Sequence, residues 1–168
     1  TATSDGTVAG YIGGGGAADH VLNGFENIVG SSHGDILTGD GLVNEIWGGN
    51  GVDIIEGGGG GDRLDGEGAL DTLSYAASSK AVTVNLLTGA LSGGDAQGDS
   101  IANFENLRGS AKADTLTGDD GDNEIEGGNG ADIMDGGLGE NTLSYQNSAG
   151  HVVVDLLAST ASQGCDRS

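Results

Sequence analysis

The chain has 168 residues, a length that suits one domain or one stretch of a repeat protein. Asp and Glu number 26 against 5 Lys and Arg, which gives a formal net charge of −21. This charge argues against nucleic acid as a partner, because phosphate contacts need basic side chains, and equally against anionic membranes and polyanionic polysaccharides. The composition therefore favours a cation as the partner.

Three simple features of the sequence limit the class of protein to which the chain can belong. Cys165 is the single cysteine, so no disulfide can form within the chain. The sequence holds no run of 18 apolar residues, and we therefore predict no membrane span. The first ten residues lack the basic and apolar regions of a signal peptide, so we expect a section of a longer array whose targeting signal lies elsewhere.

A nine-residue period organises the first part of the chain. The recurring polar residues are Asp35, Asn44, Asp53, Asp62 and Asp71. A large aliphatic residue follows each of them two positions later: Leu37, Ile46, Ile55, Leu64 and Leu73. A flexible linker, which the 36 glycines alone would suggest, has no reason to keep this spacing. The spacing instead predicts that each nine-residue unit forms a six-residue glycine-rich turn and then a three-residue strand, whose central side chain points inward.

The period lapses over 75–108, where we expect spacer strands around 82–87 and 101–107, and then returns. The second set of polar residues is Asp114, Asn123, Asp132 and Asn141, followed by Leu116, Ile125, Met134 and Leu143. A longer repeat relates 25–40 to 104–119 and 71–87 to 141–157. The predicted parts of one continuous solenoid are the tail of a preceding unit (1–29), a first block (30–74), a spacer (75–108), a second block (109–144) and the start of a further spacer (145–168).

Stacking of the repeats is expected to have two consequences: it buries a hydrophobic core, and it brings aspartates so close together that a metal ion is needed to neutralise them. Two units form one coil, and coils spaced by about 4.8 Å bury a column of aliphatic side chains in an all-β, parallel β-roll or β-helix. Stacking also brings together the aspartates of every second unit, where unneutralised carboxylates repel. A hard dication removes that repulsion. Carbonyl-rich turns favour calcium over magnesium, which keeps its waters, and the isolated His20, His33 and His151 argue against zinc.

Three segments match a known consensus. GGNGVDIIE (48–56), GGGGGDRLD (57–65) and GGNGADIMD (127–135) fit G-G-x-G-x-D-x-U-x, in which U is a large aliphatic residue. The sequence resembles the RTX, or haemolysin-type calcium-binding, repeats, and full and partial copies cover about 80 of the 168 residues. The resemblance implies a right-handed solenoid, several calcium ions, and a bacterial protein exported by type I secretion to the extracellular space or the cell surface.

The resemblance also implies where calcium would lie, namely between a turn and the turn two units later, one coil along the stack. The earlier turn supplies its second and fourth carbonyls and its aspartate, and the later turn supplies its first and third carbonyls and its aspartate. The implied ligand sets are Ser31, His33 and Asp35 with Gly48, Asn50 and Asp53; Asp40, Leu42 and Asn44 with Gly57, Gly59 and Asp62; Gly49, Gly51 and Asp53 with Gly66, Gly68 and Asp71; and Ser110, Lys112 and Asp114 with Gly127, Asn129 and Asp132.

Two further pairs are less regular. Asn123 and Asn141 would form a site without a motif carboxylate, which we expect to be weak or empty. Asp95 and Asp99 in the spacer are equally well explained as ligands of an extra calcium ion and as solvated loop carboxylates.

Catalytic signatures are absent from the sequence: it contains no H-E-x-x-H, no G-x-S-x-G and no P-loop. We therefore expect these residues to be non-enzymatic, with any catalytic domain elsewhere in the parent chain. The expected function is a calcium-binding module that folds outside the cell and serves the secretion, folding and stiffening of a larger protein. The alternatives are an accessory module of a secreted protease, lipase or alginate epimerase, and an adhesin or surface-layer segment. Whether a polysaccharide or cell-surface partner binds stays open.

Overall fold

The computed structural model describes residues 24–154 and 156, and within them short strands dominate. Predictions that fall on 1–23, 155 and 157–168 lie outside the described residues. The strands are β1 (Asn27–Val29), β2 (Ile36–Thr38), β3 (Glu45–Trp47), β4 (Ile54–Glu56), β5 (Arg63–Asp65), β6 (Thr72–Ser74), β7 (Thr83–Asn85), β8 (Ala90–Ser92), β9 (Ser100–Ala102), β10 (Asn106–Arg108), β11 (Thr115–Thr117), β12 (Glu124–Glu126), β13 (Ile133–Asp135) and β14 (Thr142–Ser144). One turn of 3-10 helix, Gly94–Ala96, lies between β8 and β9.

The strands assemble into three sheets by stacking of successive coils. Their orders are β1-β3-β5-β9, β2-β4-β6-β10-β12-β14 and β8-β7-β11-β13. Pairing is parallel throughout the described sheets except in the β7–β8 hairpin. In the first block Ile55 pairs with Leu37 on one side and with Leu73 on the other, each two units away along the chain. The predicted coil of two units and two strands is therefore confirmed, as is the all-β parallel β-roll.

The core is a column of the central residues of the strands. Ile46, Ile55, Leu64 and Leu73 are 0% exposed, whereas the flanking residues of the same strands are partly or fully exposed in most cases. This alternation follows from the pleat of a strand, which sends successive side chains to opposite faces. Burying each such aliphatic side chain contributes about 1.5–3 kcal/mol, and only stacking makes the burial possible.

The spacer departs from the stack and then rejoins it. After β6 the chain forms the β7–β8 hairpin and the 3-10 turn, after which β9 pairs with β5 and β10 pairs with β6. Around 101–107 the chain forms two strands, β9 and β10, because Asn103, at φ 56°, turns the chain between them. The strand expected around 82–87 is shorter, as β7 covers Thr83–Asn85. Spacer residues thus complete a coil of the same solenoid.

Glutamates at equivalent positions hold the chain where it leaves the stack. Glu56 accepts hydrogen bonds from the Ala77 N–H at 2.7 Å and from the Ser74 hydroxyl at 3.4 Å. Glu126, its counterpart in the second long repeat, accepts the Asn147 N–H at 3.0 Å and the Arg108 Nε–H at 3.0 Å. The two long repeats therefore leave the sheet in the same way, which agrees with their sequence match.

Candidate metal centre

The motif side chains form ladders along the edges of the sheets. The Asp35 N–H donates to Asp53 Oδ1 at 2.8 Å, and the Asp53 N–H donates to Asp71 Oδ1 at 2.8 Å. The same bond, at 2.9 Å, joins Asn44 to Asp62, Asp114 to Asp132 and Asn123 to Asn141. Every motif pair that the sequence predicts to be stacked is thus in contact. The ladder fixes one oxygen of each later carboxylate and leaves the other for a further partner.

Three of those second oxygens have no hydrogen-bond partner among the residues that the structure describes. Asp53 Oδ2, Asp62 Oδ2 and Asp71 Oδ2 are buried without a hydrogen bond, and their residues are at most 1% exposed. Burial of an ionised carboxylate without compensation costs several kcal/mol or more, so such groups normally find a counter-charge or take up a proton. The unpaired oxygens therefore mark positions at which an oxygen-binding cation fits.

The first glycine of each turn leaves room at these positions. A methyl group built on Gly48 would lie 2.5 Å from Asp53 Oδ2 and 2.7 Å from the Gly66 carbonyl oxygen. In the second block, a methyl group on Gly109 would lie 2.7 Å from both Asp114 Oδ2 and the Gly127 carbonyl oxygen. The aspartate of an earlier turn and the first carbonyl of the later turn thus converge. Any side chain larger than hydrogen would collide with both oxygens.

The second and fourth carbonyls of the earlier turns face the later turns. The His33 carbonyl oxygen would lie 2.6 Å from a methyl group on Gly51, whose φ of 128° is open to glycine but strained for other residues. The Leu42 carbonyl oxygen would lie 2.5 Å from a methyl group on Gly60. Four further glycines make the same close approach to a carbonyl oxygen of the earlier turn: Gly49 to Ser31, Gly58 to Asp40, Gly128 to Ser110 and Gly130 to Lys112. The structure therefore places these implied carbonyl ligands at the gap between stacked turns.

The third positions of the turns also contact their neighbours. The Gly51 N–H donates to the Gly68 carbonyl at 3.3 Å, and the Gly68 N–H donates to the Gly49 carbonyl at 3.1 Å. The N–H groups of Asn50 and Gly59 donate to the Ser31 and Asp40 carbonyls. Asn129 and Ser110 both line one surface cavity. The implied ligands of each set are thus neighbours, and their role in binding stays a prediction.

Burial changes the ionisation of the ladder. Burial raises the pKa of Asp62 to about 6, helped by the charges of Asp99, Asp40 and Asp95 and opposed by the Asn44 N–H. Burial likewise raises the pKa of Asp71 to about 6, with contributions from Asp53 and Glu105. The pKa of Asp132 is also raised by burial. Without a cation, the folded turns therefore disfavour the charged forms of Asp62, Asp71 and Asp132.

The raised pKa values predict that the metal-free fold is more stable in mild acid than at neutral pH. Between the unfolded pKa of 3.8 and the folded value of about 6, the folded chain binds more protons than the unfolded chain. Stability is therefore greatest at the acid end of this window and is lost as pH rises through about 6. We expect the metal-stripped chain to show more β signal by far-UV circular dichroism at pH of about 4.5 than at about 7.

The matched control is the Asp62→Asn and Asp71→Asn double variant, which lacks both groups and should lose most of the difference between the two pH values. An equal pH dependence in the double variant would contradict the assignment to these carboxylates.

The side-chain N–H groups of Asn123 and Asn141 donate hydrogen bonds to oxygens of the protein itself. Asn141 Nδ2 donates to the Leu138 carbonyl at 2.7 Å, within its own turn. Asn123 Nδ2 donates to the Glu105 carbonyl at 2.8 Å and to Asp119 Oδ1 at 3.0 Å. An amide thus supplies donors where an aspartate leaves an oxygen unpaired. This is a physical reason for the prediction that the Asn123–Asn141 site is weak or empty.

The spacer contributes carboxylates to the ladders, one of which sequence reasoning missed. Asp99 Oδ1 accepts the Asp62 N–H at 2.8 Å, and its Oδ2 accepts the Tyr75 hydroxyl at 2.9 Å, so Asp99 continues the ladder above Asp62. Asp95 lies in the 3-10 turn, where its N–H donates to the Ser78 hydroxyl at 3.2 Å. Glu105 Oε2 accepts the Asp71 N–H at 2.8 Å and was not predicted. Its sequence signal is that it lies one nonapeptide period before Asp114.

Side chains alone do not build a metal site in the part of the chain that the structure describes. Among residues 24–154 and 156, no group of three or more His, Cys, Asp or Glu side chains is arranged to hold an ion. The candidate sets instead combine two side-chain ligands with carbonyl oxygens, and all-oxygen sets of this kind are what calcium takes. No helix among the described residues is both long and apolar enough to cross a membrane.

The fold and the turns together define a class: a parallel β-roll whose stacked turns present carboxylate and carbonyl oxygens to cations. The sequence pattern of the family described as RTX calcium-binding nonapeptide repeat (4 copies) matches residues 29–64, 38–73 and 108–143. The chain therefore carries RTX calcium-binding nonapeptide repeats in these segments, as the resemblance indicated. No curated protein matches the chain significantly.

Proposed function

We propose that this calcium-binding repeat module is a calcium-driven folding switch of a larger secreted protein. The observation that carries the proposal is the set of three buried carboxylate oxygens without partners in adjacent turns, on Asp53, Asp62 and Asp71. These oxygens oppose folding when no cation is present and favour it when one binds. The matched repeats support calcium as the ion.

The energy of such a switch comes from linkage. Each ion that binds only the folded chain stabilises it by about 2.7 kcal/mol at a roughly hundredfold excess over its Kd. Against this stand the entropy of 36 glycines and the repulsion among 26 acidic residues. Several ions acting together would supply the stabilisation that a chain with one cysteine cannot draw from disulfides of its own.

The switch suits export to the extracellular space or the cell surface. In a cytoplasm with little free calcium the module would stay unfolded, a form suited to passage through a type I secretion channel. Outside, calcium would fold and stiffen it, and folding would oppose return of the chain. The module itself is proposed to be non-catalytic, with any activity of the parent protein residing in other domains.

Far-UV circular dichroism during a calcium titration tests the proposal. We expect a weakly structured spectrum in chelator and a cooperative gain of β signal with calcium. A parallel magnesium titration serves as the control, and magnesium should fail to produce the transition at the same concentrations. A β-rich spectrum already present in chelator, unchanged by calcium, would rule out the switch.

A further inference from the structure

The junction between the first block and the spacer repeats the geometry of a metal turn without its sequence. The turn at 66–71 is stacked against the spacer turn at 103–105, because β6 pairs with β10 and β5 pairs with β9. This spacer turn contains three residues where a nonapeptide turn contains six, and it has no G-G-x-G-x-D pattern. No ligand set drawn from the consensus therefore reaches it.

The unpaired oxygen of Asp71 points towards this spacer turn. A methyl group built on Gly66 would overlap the Asn103 carbonyl oxygen and would lie 2.7 Å from Asp71 Oδ2. Gly48, one coil earlier, stands in the same relation to Asp53 Oδ2 and the Gly66 carbonyl. Asp71 Oδ2 is buried, with its residue 0% exposed, and has no hydrogen bond. The Asn103 carbonyl thus takes the place of the first-position carbonyl of a later turn.

Glu105 takes the place of the later aspartate. Its Oε2 accepts the Asp71 N–H at 2.8 Å, just as Asp71 Oδ1 accepts the Asp53 N–H at 2.8 Å. Glutamate is one methylene longer than aspartate, which helps a carboxylate reach the ladder from a shorter turn. The other oxygen of Glu105 remains available to a ligand, since the ladder bond uses only Oε2.

The earlier turn keeps the backbone of a metal turn although its glycines are replaced. Glu67 and Ala69 occupy the second and fourth positions with φ values of 66° and 112°, where Gly49 and Gly51 have 99° and 128°. Positive φ is unfavourable for residues with a Cβ and is held only when the surroundings require it. The backbone of both turns is therefore consistent with a site at this junction.

We propose that a calcium ion binds between turns 66–71 and 103–105, held by Asp71 Oδ2, the Asn103 carbonyl and the Glu105 carboxylate. The inference rests on the proposed function, because it extends calcium binding from the repeats to the spacer. This ion links the spacer coil to the first block, so that the stack of coils continues through the spacer to the second nonapeptide block. A structural role for Glu105 alone would need only its bond to the Asp71 N–H.

Counting bound calcium in Glu105→Gln tests the site. Glutamine keeps an oxygen that can accept the Asp71 N–H but loses the charge that a cation needs. We expect equilibrium dialysis to find about one ion fewer per chain than in wild type, or one ion bound at least about tenfold more weakly. The matched control is Glu124→Gln, which removes the same charge from an exposed strand position and should bind the wild-type number.

The outcomes separate this inference from the proposed function. Wild-type protein that binds no calcium overturns both. Wild type and Glu105→Gln that bind the same number with the same affinities overturn the junction site alone. Anomalous diffraction from wild-type crystals grown with strontium gives a test that does not depend on folding of the variant. A peak within about 2.6 Å of Asp71 Oδ2 and the Asn103 carbonyl supports the site. Peaks confined to the nonapeptide turns overturn it.

Discussion

Asp53→Asn should uncouple the first block from calcium without weakening the metal-free fold. Asp53 belongs to two implied ligand sets, one with Asp35 and one with Asp71, and its Oδ2 is buried without a partner. Asparagine keeps the oxygen that accepts the Asp35 N–H and replaces the unpaired oxygen with hydrogen-bond donors. We expect the calcium midpoint for folding to rise more than about tenfold, equivalent to about 1.4 kcal/mol or more. Circular dichroism at fixed protein concentration measures this midpoint.

The effect of Asp53→Asn in chelator separates the loss of a calcium ligand from general destabilisation of the fold. An ordinary destabilising substitution lowers the folded fraction with and without the ion, whereas Asp53→Asn should leave the residual β signal in chelator unchanged or higher. Asn44, Asn123 and Asn141 occupy the same turn position and show that the fold accommodates the amide. Asp120→Asn is the control, because Asp120 is exposed in a turn and should change neither the calcium midpoint nor the residual β signal in chelator. Equal losses with and without calcium would contradict a ligand role for Asp53.

The repeats were readable from the sequence because one period serves two purposes. The spacing that puts Ile55 in the core also puts Asp53 at the sheet edge, so a single register predicts the coil, the column and the stacked pairs. The match to the RTX pattern could add ligand identities because the metal turn is local in sequence. What is local and periodic in this chain was therefore predictable.

The spacer was less readable because its register depends on long-range packing. Asp62 meets Asp99 at a separation of 37 residues, Asp71 meets Glu105 at 34, and Val82 meets Asp114 at 32. No fixed period yields these three values, since the hairpin and the 3-10 turn between β7 and β9 set how much chain is used. The bond from the buried Tyr75 hydroxyl to Asp99 likewise needs the folded spacer. Burial and the charge of Asp99 raise the pKa of Tyr75, which keeps it a hydrogen-bond donor.

The number of buried carboxylate oxygens without a hydrogen bond differs along the described part of the solenoid. The unpaired oxygens belong to Asp53, Asp62 and Asp71, at the end of the first block, whereas Asp35 Oδ2 and Asp114 Oδ2 accept hydrogen bonds from Ser31 and Ser110. In these two turns the backbone N–H of the residue at the second turn position thus partly replaces a cation. We infer that calcium acts most strongly where the first block meets the spacer, and least at Asn123 and Asn141.

Ile55→Ala should be among the most damaging substitutions in the core. Ile55 is 0% exposed and its strand lies between β2 and β6, so truncation leaves a cavity between three coils. Such substitutions cost about 2–5 kcal/mol, and in a solenoid the loss falls on the interface between neighbouring coils. We expect urea unfolding in saturating calcium to shift by this amount.

Ile36→Ala is the control, since Ile36 is in the same sheet but points outward and is 52% exposed. Its loss should cost less than about 1 kcal/mol, as expected for a surface position. The comparison also separates the two sources of stability in this fold. Calcium in excess can offset repulsion between stacked carboxylates, but it cannot refill a cavity between coils. The deficit of Ile55→Ala should therefore persist at every calcium concentration, whereas that of Asp53→Asn should be absent in chelator and grow as calcium is raised. A deficit of Ile55→Ala that disappears in excess calcium would mean that metal binding, and not the aliphatic column, holds the coils together.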